Sequence, residues 1–212
     1  WQDIPRLARL GVIVAGLIAS YAAAGALAAR GLKAFAEAAL LSGVAIFGAG
    51  IMLVAQMYHI DGNPPDAVLT WAAGALLVGV LLGSNAALAA AALLTALWSG
   101  WEMVLTQSVH WPALAAAAIL ALAFWRQGWR PGAHLVTAGL AAWVISLGLL
   151  LEMGAWESMV LPIGLAAMAL GLFGARHAQR LAPVGPLLTG YGFAAAFTAL
   201  FALQFLQRAG TD

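Results

Sequence analysis

The chain alternates long apolar runs with short polar punctuation. Eight apolar runs stand out, near residues 10–29, 38–58, 64–82, 85–103, 112–125, 133–151, 159–175 and 186–206. Several are 14 to 19 residues long, at or just below the ~20 residues that carry a helix across a ~30 Å hydrocarbon layer. The fifth is the shortest. Three runs open on a proline, at Pro64, Pro112 and Pro186, where a first-turn proline costs no hydrogen bond. Asn63 stands before Pro64 as the expected N-cap. The turns near residues 30, 83, 128 and 178 recur about every fifty residues, a spacing that predicts four helical hairpins in series. Residue-level identity between those units is lacking, so the sequence does not establish an internal duplication.

Composition turns this helical pattern into a membrane protein. Of the 212 residues 64% are hydrophobic and only 8% charged, about a third of the ~25% typical of soluble domains. The mean hydropathy is +0.96. Too little polar surface exists to surround such a core, so lipid is the expected solvent and the lipid bilayer the first partner. The expected fold class is therefore all-α, a polytopic transmembrane bundle forming one integral membrane domain over residues 1–212. A net charge of +1 without a basic tract argues against nucleic acid. Cysteine is absent, which excludes disulfides, iron–sulfur clusters and thiolate metal sites.

Charge distribution gives an orientation. With eight spans, one side carries Arg6, Arg9 and Arg208 together with Asp3, Asp61, Asp66, Glu102, Glu152, Glu157 and Asp212. The other side carries Arg30, Lys33, Arg126, Arg130, Arg176 and Arg180, with Glu37 as its one acid. Basic residues thus divide 3 to 6 and acids 7 to 1. The positive-inside rule puts the Arg-rich turns in the cytoplasm and the His59 side in the periplasm of a bacterial inner membrane. Trp71, Trp98, Trp101, Trp111 and Trp156 near one interface, and Trp125 and Trp129 near the other, read as aromatic belts. Trp143 sits deep in its run, where its indole N–H needs a partner.

Residues 43–66 are the most distinctive stretch. An apolar run changes within six residues into Gln56, Tyr58, His59 and Asp61, then turns at Gly62-Asn63-Pro64-Pro65. Gln56 and His59 share a helix face at their spacing of three. At a bundle mouth, His59 and Asp61 are candidates for holding a cation, a proton or a polar ligand; the plainer alternative is that the cluster caps a helix end. A second constellation is Trp98-Ser99-Gly100-Trp101-Glu102, followed by Gln107 and His110. The short Gly83-Ser84-Asn85 turn folds span four back on span three, so Gln56, Tyr58, His59 and Glu102 are expected to converge. The ligand-binding candidates are thus Gln56, Tyr58, His59, Asp61, Trp98 and Glu102. No metal ligand set is predicted, since nothing has the compact spacing of HExxH, and no cofactor fingerprint is present.

The span interiors contain hydroxyls and one amide but no Asp, Glu, Lys, Arg or His at mid-depth, which argues against ion-coupled transport. Ser20, Thr95, Ser146 and similar groups are expected to bond helix to helix or to the i−4 carbonyl. Gly79-Val-Leu-Leu-Gly83 and the Ala45/Ala49 pair permit close helix approach, although such spacings arise by chance in a chain this rich in Gly and Ala.

Ala55-Gln-Met-Tyr-His-Ile-Asp-Gly resembles a bacterial membrane-protein family known as domain of unknown function 2157. The opening Trp-Gln-Asp-Ile-Pro-Arg is similar to the stretch that follows that family's first membrane helix. Trp71 opening one span and Trp98-Ser-Gly-Trp101-Glu102 closing the next also fit. The resemblance covers residues 1–105. It implies a polytopic inner-membrane protein with no established activity, cofactor or substrate. Family members carry a cytoplasmic segment and one more helix before the Trp, so this chain is expected to lack both.

Biochemical activity is not legible in these residues. The reading they favour is non-enzymatic: ligand sensing, or assembly with a partner protein or a second copy, at the outer face near His59. The rival is a facilitator for a small neutral or apolar solute. An enzyme would need a dyad, and only His59 with Asp61 or Glu102 offers one.

Overall fold

A computed structural model describes residues 5–60, 62–150, 165, 168, 169 and 189–194. Among these residues every regular element is helical and no strand occurs. The helices are α1 (Arg6–Ala29), α2 (Lys33–Tyr58), α3 (Pro64–Leu81), α4 (Asn85–Thr106), α5 (Pro112–Gln127) and α6 (Arg130–Leu150). Residues 189–194 are helical as well. Four helices, α1 to α4, are long and apolar enough to cross a membrane. At 16 residues, α5 reaches only about 24 Å at 1.5 Å per residue. Of the eight expected spans, the seventh and eighth fall almost wholly outside the described residues.

Helix starts follow the sequence signals. Pro64 and Pro112 stand in the first turns of α3 and α5, where the missing N–H removes no intrahelical bond. Hydropathy nevertheless places several boundaries too far inward. α1 begins at Arg6, α2 at Lys33, and α4 continues to Thr106. The backbone ladder does not stop where the apolar side chains stop, because each further i−4 bond still satisfies groups that would otherwise need water.

The two ends of the bundle turn differently. At one end, Gly31, Gly83 and Gly128 each take a left-handed conformation, with φ of +77°, +65° and +64°. Lacking a Cβ, glycine enters this region without steric penalty. Leu32 N–H bonds Leu27 O at 3.0 Å and Ser84 N–H bonds Gly79 O at 3.0 Å, closing the preceding helices. At the opposite end the left-handed positions are held by His59 and Gln107, with φ of 50° and 49°.

Packing is antiparallel and close. In the α1–α2 contact Tyr21 lies over Gly43, Ile46 over Gly16 and Ile13 over Gly50. In the α2–α3 contact Trp71 covers Gly48 and Phe47 covers Gly74. Between α3 and α4, a Cβ at Gly79 would stand 2.9 Å from the backbone nitrogen of Leu88. Ala75, Ala87, Leu88 and Ala91 are the most enclosed side chains there. Lipid tails are as apolar as these residues, so burial from water drives little of this association; close van der Waals contact between small residues does. The Gly79/Gly83 pair therefore has two separate jobs, since Gly79 makes the helix contact and Gly83 makes the turn. Ala45 and Ala49 are exposed and do not form a helix contact among the described residues.

Two expectations about tryptophan need correction. Trp71 is not an interfacial anchor: its Nε1–H donates to Val44 O at 2.8 Å and its ring fills the space above Gly48. Trp98 is buried in the α3–α4 core region. A Trp near a helix end satisfies its N–H on a neighbouring backbone as readily as at the headgroups, and position alone does not distinguish the two. Trp101, Trp111 and Trp125 remain exposed.

Candidate functional site at the Asn63 end

The site grows from the α3–α4 pair. The three-residue turn at the Gly83 end sends α4 back along α3, so the C-terminal turns of α4 reach the level of α3's first residues. There the Asn63 side-chain amide donates to Glu102 Oε2 at 3.1 Å. Asn63 occupies the N-cap position of α3 but its side chain makes no cap bond. The bond uses the Nδ2–H donor rather than the Oδ1 acceptor a cap would use, and the carboxylate makes it charge-assisted. Among the described residues Glu102 has no cationic partner.

The connection between α4 and α5 builds the second part. Gln107 reverses the chain in a left-handed conformation, and its Nε2 donates to Val104 O at 2.7 Å. His110 is thereby laid against Trp98, ring edge to face, with centroids 4.4 Å apart. From α6, Trp143 Nε1–H donates to the His110 backbone carbonyl at 2.9 Å, and its ring lies 5.7 Å from that of Trp111. Trp143 thus has its required partner. His110 Nδ1 is buried without a hydrogen-bond partner among the described residues. Burial pulls the His110 pKa below its ordinary value, and the negative charge of Glu102 partly opposes that. The balance favours the neutral imidazole over the charged one.

Trp98 and Glu102 thus lie in one network with Asn63 and His110. The other candidates lie beside it. Gln56 and His59 are exposed on the last turn of α2, and Tyr58 is half exposed with the Arg6 guanidinium 5.8 Å from its ring centroid. His59 acts as the C-cap of α2, with φ 50° and ψ 47°, and its N–H bonds Ala55 O. Histidine is among the few non-glycine types enriched in that conformation. No hydrogen bond joins Gln56, Tyr58 or His59 to Glu102 among the described residues. Asp61 lies outside the described residues, as do Glu152 and Glu157.

A polar group at the Gly83 end escaped the sequence reading. Glu37 Oε2 accepts a short bond from Ser84 Oγ and a longer one, at 3.4 Å, from Ala86 N. Ser84 Oγ in turn accepts from Ala87 N at 3.1 Å, making Ser84 the N-cap of α4. A carboxylate at a helix N-terminus is favoured by the exposed amides and the helix dipole. Gln127 from α5 adds a bond to Gly79 O at 2.7 Å. The only sequence signal for this group was a serine before an alanine-rich run. Glu37 lies forty-seven residues from Ser84, beyond any local motif.

Residues 1–88 match the family model described as "Predicted membrane protein (DUF2157)". That segment spans α1 to α3, the Asn63 turn and the Ser84 cap of α4; Trp98, Glu102 and His110 lie beyond it. No curated protein and no solved structure matches the chain.

Proposed function

We propose that this membrane protein, with its family-like first three helices, senses a small organic cation at the Asn63 end. The observation that supports this most is the state of Glu102. Its carboxylate accepts a hydrogen bond from the neutral amide of Asn63 and lies near His110, whose pKa burial lowers. Among the described residues it lacks a cationic partner. A carboxylate in that position gains from an incoming ammonium group, and the exposed rings of Trp101 and Trp111 at the same end offer faces that attract cations. The role proposed is binding and signalling to a partner protein or a second copy of the chain, without catalysis.

The reading carries an orientation and a span count. The turns recurring about every fifty residues support eight spans arranged as four hairpins, and the asymmetry of basic residues supports a bacterial inner membrane with Arg30, Lys33, Arg126 and Arg130 cytoplasmic and the Asn63 end periplasmic. The decisive experiment is a calorimetric titration of the protein, in lipid nanodiscs at low salt, with tetramethylammonium. Saturable binding supports the reading, and heat indistinguishable from dilution overturns it.

A second reading, passage of a small neutral solute, draws on one observation: a cavity of ≈ 80 Å³ between α4, α5 and α6. Transport across the bilayer in reconstituted vesicles is its test.

A further inference from the structure

The cavity itself carries a chemical assignment that goes beyond sensing at Glu102. Ser99, Thr95, Ser146 and Trp143 supply its polar lining, and alanines, Gly139 and Leu120 much of the rest. Three of the four polar groups have already committed their hydrogens. Thr95 Oγ1 donates to Ala91 O at 2.8 Å, Ser146 Oγ to Ala142 O at 2.9 Å, and Trp143 Nε1 to His110 O at 2.9 Å. Ser99 is the exception. It is 6% exposed, and its Oγ is buried with no hydrogen-bond partner among the described residues. Its hydroxyl lies about 10 Å below the Thr106 end of α4, seven residues at 1.5 Å each.

Water fits this lining poorly. A volume of ≈ 80 Å³ has room for several waters, at roughly 10–15 Å³ for each, and each water needs two to four polar partners. The lining has one uncommitted donor and a few spare lone pairs. A single small molecule with an apolar body and one hydroxyl matches better. Its oxygen accepts from Ser99 Oγ, and its own O–H donates to the spare lone pairs of Thr95 or Ser146. The apolar remainder meets the alanines and Leu120.

We propose that this cavity is a binding site for a small neutral alcohol, held by Ser99. The site shares only Trp143 with the Asn63-end network, and the charge of Glu102 has no part in it. The fit is to a molecule with a hydroxyl and not to a lipid acyl chain, which would leave the Ser99 hydroxyl unpaired.

Photolabelling tests the assignment. The whole chain in lipid nanodiscs is irradiated with a short-chain alcohol carrying a diazirine, and labelled residues are mapped by peptide mass spectrometry. Labelling is expected on the Thr95–Ser99 and Gly139–Trp143 peptides, saturable and displaced by excess 1-butanol. Ser99→Ala should weaken displacement about fivefold or more, and Ala117→Leu, which fills the cavity, should abolish labelling there. A wild-type thermal unfolding midpoint in each variant reports an intact fold independently of the cavity and of binding at Glu102. Labelling that does not saturate, that falls equally on the exposed Leu93 and Leu105 of α4, or that is unchanged in Ser99→Ala overturns the assignment. A diazirine fatty acid labelling the same residues more efficiently than the alcohol overturns it too.

Discussion

The Asn63 amide donates to the Glu102 carboxylate at 3.1 Å across thirty-nine residues of chain. This bond ties the first residue before α3 to the last full turn of α4. Replacing Asn63 by Ala removes one exposed, charge-assisted bond and should cost about 1 kcal/mol, below the ~1.5–3 kcal/mol of bonds to charged groups because solvent screens an exposed position. The unfolding midpoint of Asn63→Ala in detergent, compared with wild type, measures it. A loss above about 3 kcal/mol would mean that the amide holds more than this bond.

His110 gives the protein a pH dependence whose sign follows from its environment. Burial depresses the folded-state pKa below the ~6.5 of the unfolded chain. Between the two values the unfolded state binds more protons, so stability falls as pH drops through that window and is complete above it. The thermal midpoint of the wild type should therefore decline on acidification below about pH 6.5 more than that of His110→Gln. Because Glu102 raises the His110 pKa, Glu102→Gln should extend the decline to lower pH. Parallel pH profiles for wild type and His110→Gln would refute the role given to burial.

His59 should prove a backbone residue. It holds a left-handed conformation with an exposed side chain, which costs most side chains about 1–2 kcal/mol relative to glycine. His59→Gly should leave thermal stability unchanged or raise it by up to about 1 kcal/mol, whereas His59→Val should lower it. A clear drop in His59→Gly would show that the imidazole itself makes a stabilising contact.

Orientation is open to a chemical test in a chain without cysteine. Single cysteines at Leu32, Leu82, Gly62 and Ser108 fall in exposed turns. In intact cells an impermeant thiol reagent should label positions 62 and 108 and leave 32 and 82 silent until the membrane is opened. The reverse pattern inverts the assignment.

The fold was legible in the chain wherever a local signal was enough. Pro64 and Pro112 mark real helix starts, and the scarcity of charge announced helices meant for lipid. What resisted reading was every contact made by residues far apart in sequence. Asn63 looks like a cap and instead serves Glu102. Trp71 looks like an interfacial anchor and instead packs on Gly48. Glu37 looks like a stray acid and instead completes the α4 cap through Ser84. The same limit applies to the site. Trp98 and Glu102 stand out as aromatic and acidic residues at a helix end, but the partners that place them, Asn63 and His110, are fixed by the turn at Gly83 and the reversal at Gln107.

The most direct test compares wild type with Glu102→Gln in the tetramethylammonium titration. Glutamine keeps an oxygen for Asn63 and removes only the charge, so the fold and the bond survive while the attraction does not. The account predicts saturable binding by wild type, at least about tenfold weaker binding by Glu102→Gln, consistent with ~1–4 kcal/mol between surface charges at 4 Å, and wild-type affinity in His59→Ala. Equal affinity in wild type and Glu102→Gln would contradict it.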